Sequence, residues 1–223
     1  PESARYMSKK KLAITLGVKA AKYDWVLMAD SCCFPTGDNW LQARAGNCQE
    51  GKELVVGYTR YEDETPDYRR FERHYLARYF MREYQHNRAY ACPFNALVFR
   101  KKTFLQAEGF RGNLKYIRGE YDFMVNKYAK ADNLTFENSP EGTLIEETPT
   151  DKVWLGGHLF YMENRQHLER TTRHRLLPYI DQTALHGNYL LQCAALAVSY
   201  LLGMWTITAA AGLALILSLI LRL

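Results

Sequence analysis

An apolar run of strand length, a helix pattern ahead of it and a long uncharged C-terminal stretch predict an α/β chain. A transmembrane helical hairpin is expected to follow it. The run is Trp25 to Ala29, which closes on the carboxylate of Asp30. An unbroken run of that length suits a strand buried on both faces. The helix pattern covers Lys9 to Ala21, where Leu12, Ile14, Leu16, Val18, Ala20 and Ala21 fit one side of a helix loosely. Gly17 and the small residues there allow close packing on a sheet. The uncharged stretch runs from Tyr189 to Leu221, 33 positions rich in Leu, Ala and Ile.

The elements between follow from local pattern. Glu53 to Glu62 reads as a strand, and Ala91 to Phe110 as a strand, a basic turn and a short helix. Tyr68 to Gln85 reads as a helix dense in Arg and Tyr, with Arg69, Arg70, Arg73, Tyr75, Arg78, Tyr79, Arg82 and Tyr84. Such a helix suits anionic lipid or a solvated face, and nucleic acid is not expected as a partner. Glu120 and Asp122 precede Phe123, Val125 and Tyr128, and two acids in a first turn favour the helix dipole. Lys152 to Arg175 reads as an amphipathic, basic helix leading to the uncharged stretch. As one helix that stretch is about 50 Å long, against a hydrocarbon core of roughly 30 Å. Two crossings fit better, the first from about Thr183, a turn over Gly203 to Thr206, and the second ending at Leu221. Arg222 then returns to the side of Arg170, Arg173 and Arg175, which the positive-inside rule makes the cytosol.

Asp30 is the first charge after the apolar run, and ligands of open α/β sheets gather at the carboxyl ends of strands. Alone, it reads first as a cap for the next loop. With its flanks, the segment resembles the family 2 glycosyltransferases of the GT-A fold, a Rossmann-like mixed sheet. These carry a Lys-x-x-Ala-Leu-Asn-x-Gly helix and then a strand ending in Asp-x-Asp. Lys10, Ala13, Ile14, Thr15 and Gly17 occupy the helix pattern, and Asp30, Ser31 and Cys32 the Asp-x-Asp positions, followed by Cys33 and Pro35. The resemblance implies that Lys10, Asp30 and Cys32 bind the donor diphosphate. Asp30 would hold a divalent cation, Mg²⁺ or Mn²⁺. Cys32 stands where the family has a second oxygen ligand, and these hard cations prefer oxygen.

A second stretch resembles the family's Glu-Asp-x-Asp-Leu region. Glu120 falls on the general-base position and Asp122 on the following carboxylate. A carboxylate is needed there because the acceptor hydroxyl loses its proton as it attacks the anomeric carbon. Asn95, Leu97, Arg100, Lys101, Phe104 and Phe110 fit the acceptor-side segment in order. After Trp154, Gly156, Gly157 and His158 replace the basic residues that the family places near the diphosphate. Arg165, His167 and Arg170 stand further along, and Arg165 is assigned to donor binding because guanidinium groups suit phosphate. The family's first strands, which cradle the base and ribose, have no counterpart ahead of Lys10. The implied domains are therefore a partial GT-A domain over 1–182 and transmembrane helices over 183–223.

Composition bounds the function. The chain has 223 residues, a net charge of +5, 48% hydrophobic and 13% aromatic residues, which suits phosphate and anionic lipid. Five cysteines, Cys32, Cys33, Cys48, Cys92 and Cys193, make no disulfide framework and no paired zinc spacing. The expected activity is inverting transfer of a sugar from a nucleotide-sugar donor to a glycan or lipid-linked acceptor. Its expected place is the cytoplasmic face of a membrane, against membrane lipid. The alternative is a non-catalytic membrane protein of the same fold that has lost its metal site.

Overall fold

Residues 8–220 are described by a computed structural model, and its first helix, α1 (Lys9–Ala20), starts where the Ser8 hydroxyl accepts from the Lys11 amide. That bond satisfies one of the four amides that a helix N-terminus leaves without a backbone partner. Next come β1 (Trp25–Ala29), β2 (Cys33–Pro35), α2 (Trp40–Ala45), β3 (Leu54–Gly57) and β4 (Thr59–Tyr61). The first unit continues through α3 (Asp67–Gln85), β5 (Ala96–Arg100), α4 (Lys101–Gln106) and α5 (Glu120–Tyr128). It ends with β6 (Leu134–Glu137), β7 (Leu144–Glu146) and α6 (Asp151–His167), the boundary falling after Glu169. The second unit begins at Arg170 and holds α7 (Thr172–Leu201) and α8 (Trp205–Ile220).

The strands make two small mixed sheets, in the orders β1-β5-β3-β6 and β2-β7-β4. β5 pairs antiparallel with both β1 and β3, and β6 runs parallel to β3. In the second sheet β7 is antiparallel to β2 and parallel to β4. Two features differ from the sequence reading. The run Trp25 to Ala29 is an edge strand with only Met28 buried, so its apolar residues cover one side of a border rather than the middle of a sheet. The run Glu53 to Glu62 is two strands in two sheets, broken at Tyr58. The Tyr58 amide donates to the Glu137 carbonyl at 2.9 Å, and its carbonyl accepts from the Leu144 amide at 3.2 Å. One residue thus joins both sheets and carries the chain between them.

Aromatic residues fill the core. Phe80, Phe94, Phe99, Phe104 and Phe110 are each at most 1% exposed, with Met124, Leu54 and Leu97 among them. Phe104, from α4, meets Phe99 of β5 at 5.6 Å and Phe110 at 5.4 Å, the second edge to face. Such pairs contribute about 0.5–1.5 kcal/mol beyond their buried area. They pin α4 against the sheet.

The C-terminal unit corrects the expected membrane crossings. α7 and α8 form a helical hairpin, but among the described residues no helix is long and apolar enough to cross a membrane. The turn falls at the expected Gly203, but neither helix beside it is both long and apolar enough. Gly203 takes the left-handed conformation at φ +68° and divides the uncharged stretch. Its first part occupies only the end of α7, from Tyr189 to Leu201, and α8 has 16 residues, about 24 Å at 1.5 Å per residue. The earlier part of α7 carries His174, Arg175 and His186. Leu221 and Arg222, the expected end of the second crossing, lie outside the described residues. Polar bonds tie the hairpin: Thr208 Oγ1 lies 3.0 Å from Ser199 Oγ, and Gln192 Nε2 donates to Ser218 Oγ at 3.1 Å.

Candidate functional site

The site is built around the start of α5. Gly119 caps that helix at φ +87°, a conformation that favours glycine, and a Cβ there would stand 2.6 Å from Asn164 Nδ2 and push that side chain aside. Glu120 and Asp122 follow in the first turn, where the helix dipole favours negative charge. Both are buried. Asp122 Oδ1 accepts from the Cys92 amide at 2.8 Å, and Oδ2 from Asn164 Nδ2 at 3.4 Å. Burial pushes its carboxyl up to about 6. The Cys92 amide and Asn164 pull it down, neighbouring Glu120 pushes it further up, and Arg165 pulls it down. Glu120 accepts from the Ser8 hydroxyl at 3.3 Å.

Asp30 enters from the end of β1. Its amide donates to the Asn95 carbonyl at 3.1 Å, so the antiparallel pairing of β1 with β5 sets its position. Asp30 Oδ1 accepts from Lys10 Nζ at 2.6 Å and from the Tyr121 hydroxyl at 2.7 Å. The Lys10 ammonium also lies 4.9 Å from the centre of the Tyr121 ring. Tyr121 sits between the two acids of α5, so one side chain links that helix to the β1 corner. Lys10, Glu120 and Asp122 line a cleft of about 820 Å³, together with Arg73, Asn95, Glu146, Trp154 and Tyr161.

Three expected donor residues lie outside that lining: Asp30, which touches it only through Lys10 and Tyr121, Arg165 and Cys32. Arg165 lies on α6 with its guanidinium 5.1 Å from the Tyr161 ring, acts on Asp122 through its charge and is not in the cleft lining. Cys32 is also outside that lining, and burial, with Glu146 and Asp30 beside it, raises its thiol. A raised thiol stays protonated, which makes it a weak ligand. Asp30 Oδ1 already carries an ammonium and a phenol. Among the described residues no three His, Cys, Asp or Glu side chains gather to hold a metal ion. The donor set around Asp30 therefore does not fit a divalent cation cage: it offers one carboxylate, and Lys10 already stands against it.

Residues that sequence reasoning missed complete the cleft. Arg73 Nη2 donates to Glu146 Oε2 at 2.5 Å and Nη1 to the Pro93 carbonyl at 2.8 Å, with its guanidinium 4.4 Å from the Tyr61 ring. Burial raises the Glu146 carboxyl and Arg73 opposes it. The signal was present in the spacing, because Arg69, Arg73, Ala77, Phe80 and Tyr84 repeat at three or four positions and all are buried. At the cleft rim, His158 Nε2 meets Glu72 Oε1 at 2.6 Å and Nδ1 meets the Trp154 carbonyl at 2.9 Å. Burial lowers the imidazole, but two acceptors and the Glu72 charge outweigh it and raise the net value.

Lys11 lies beneath the site. Its ammonium is fully buried and donates to Asn113 Oδ1 at 2.6 Å and to the carbonyls of Asn113, Tyr116 and Arg118 at 3.0, 2.5 and 3.2 Å. Burial lowers it to about 8, against the opposing charge of Glu120. It clasps the segment that leads into α5. Compared with known protein families and with curated proteins, the chain matches none.

Proposed function

We infer that this chain is an inverting glycosyltransferase that moves a sugar from a nucleotide-sugar donor to the hydroxyl of a glycan or lipid-linked acceptor. One observation carries the reading. Lys10 of the first motif that resembles family 2 glycosyltransferases and Glu120 and Asp122 of the second line a single cleft, and Tyr121 between those acids donates to Asp30, 91 positions away in the chain. In this reading Glu120 accepts the acceptor's proton as the hydroxyl oxygen bonds to the anomeric carbon. The bond from that carbon to the diphosphate breaks on the opposite face, so configuration inverts. Lys10 offers positive charge to the departing diphosphate, and Asp122, held by the Cys92 amide, fixes the first turn of α5. No step runs through a metal ion, since the residues beside Asp30 do not build a site for one.

A second reading, a non-catalytic protein of the same fold, is favoured by the protonated thiol of Cys32 at the position of a family ligand. Glu120→Gln separates the two. Transfer from a panel of nucleotide sugars should fall by a factor of about 10² or more, with donor binding by calorimetry near that of the parent. Equal turnover in the variant removes Glu120 as the base. Donor binding with no transfer or hydrolysis by the parent chain selects the non-catalytic reading.

A further inference from the structure

α3 and α6 lie side by side, joined by Arg69 to Asp151, by the Tyr68 ring edge-on to Trp154 at 5.7 Å, and by Glu72 to His158. Position 68 meets 154 and 72 meets 158, so the two helices run in the same direction. At about 100° per residue, Tyr68, Phe71 and Tyr75 leave the contact line on one side of α3. Leu155, Leu159 and Met162 leave it on that same side of α6, opposite Arg73 and Tyr161, which line the cleft. All six are exposed, Phe71 at 71% and Leu159 at 65%. Arg78 and Arg82 continue the row along α3, and Lys152 stands at the head of α6, all exposed. Asp67 and Glu163 stand only at its margins, Asp67 paired with Arg70.

The geometry points to this outer face of α3 and α6 as a docking surface for an anionic lipid bilayer, on which both helices lie without crossing it. It goes beyond sugar transfer and does not depend on it. Six apolar and aromatic side chains bordered by three cations match the makeup of helices that lie at a lipid interface. Tyrosines suit the depth where one end is apolar and the other wet. A second copy of the chain fits poorly, because two such faces together would set Arg78, Arg82 and Lys152 against one another. A purely acidic partner would answer the cations and leave the six apolar side chains against water.

The test uses the full chain carrying the photo-crosslinker p-benzoylphenylalanine in place of Phe71, of Leu159 or, as a control on an exposed loop, of Glu50. Each protein is irradiated with vesicles of phosphatidylcholine alone or mixed with phosphatidylglycerol. Lipid adducts should form at positions 71 and 159 well above the control, and more with phosphatidylglycerol. They should fall about tenfold or more in the Arg78→Glu, Arg82→Glu double variant. About 1 M salt, which screens charge beyond roughly 3 Å, should weaken them as well. Adducts at 71 and 159 no greater than at 50 overturn the proposal. Crosslinks from 71 or 159 to a second copy, or to an added acidic protein in preference to lipid, also overturn it.

Discussion

Asp122 lines the cleft and Asp30 stands outside its lining against Lys10 and Tyr121, one buried among neutral donors and the other partly open against an ammonium. The Asp122 carboxylate is answered by an amide and a carboxamide, and burial pushes it up to about 6. Asp30 meets Lys10 and the Tyr121 hydroxyl, with about a quarter of its side chain still exposed. The difference teaches that one residue type serves two purposes here. Asp122 is a costly acid that holds the first turn of α5 in place. Asp30 is an inexpensive one, still reached by solvent beside its two partners. Arg73 and Glu146 make a third case, both charged and both nearly buried.

The largest effect should come from breaking that third case. Arg73→Leu leaves Glu146 without its cation in the interior, and urea unfolding should show a loss of about 3–5 kcal/mol. A loss no larger than that of a surface pair would put the pair on the open side of the comparison. Next is Asp122→Asn, which keeps the Cys92 bond and removes the buried charge. Because the folded pKa of about 6 lies above the usual aspartate value of 3.8, the folded chain holds the proton more tightly. The penalty on stability is thus absent below about pH 4, grows to about pH 6 and is constant above. The variant should be more stable than the parent by on the order of 2 kcal/mol at pH 8, the gap closing at pH 4. A constant gap across that range would mean that Asp122 does not carry the burden.

Smaller stability effects are expected where solvent reaches the pair. Asp30→Asn should cost only about 0.2–1 kcal/mol in thermal unfolding. A loss as large as that of Arg73→Leu would place Asp30 with the buried charges of the comparison. The smallest shift belongs to the Glu72–His158 contact. The raised imidazole contributes stability that is fully present below about pH 6.5 and lost as pH rises through its folded value. His158→Gln should therefore lower the melting temperature slightly at pH 5.5 and leave it unchanged at pH 8.5. Equal shifts at both values would assign His158 to packing alone.

What could be read from the sequence was what is decided locally. The start of α5 announces itself through two acids ahead of an apolar face, and β5 running into α4 through a basic turn at Arg100. The border position of β1 was hidden, because an apolar run does not tell which strand it pairs with or how far it sits from the sheet's edge. β2 and β7 have three residues each, too few for any periodicity. The Arg73 to Glu146 pair spans 73 positions. Arginine in a helix suggested solvent until that helix was packed. The turn at Gly203 was legible, but the crossings were overcounted, because among the described residues neither helix beside that turn is both long and apolar enough to span.

Helix α1 has a consequence that its individual bonds do not convey. Ser8 at its head touches Glu120, Lys10 holds Asp30, and Lys11 clasps the segment before α5. A single helical turn therefore works as an alignment bar, with Glu120, Asp30 and the entry to α5 all gauged from one rigid edge. A slip of one residue along that bar, about 1.5 Å, would put all three out of register at once. The site is thus adjusted as a unit, and change in any part of it must pass through the same short stretch of backbone.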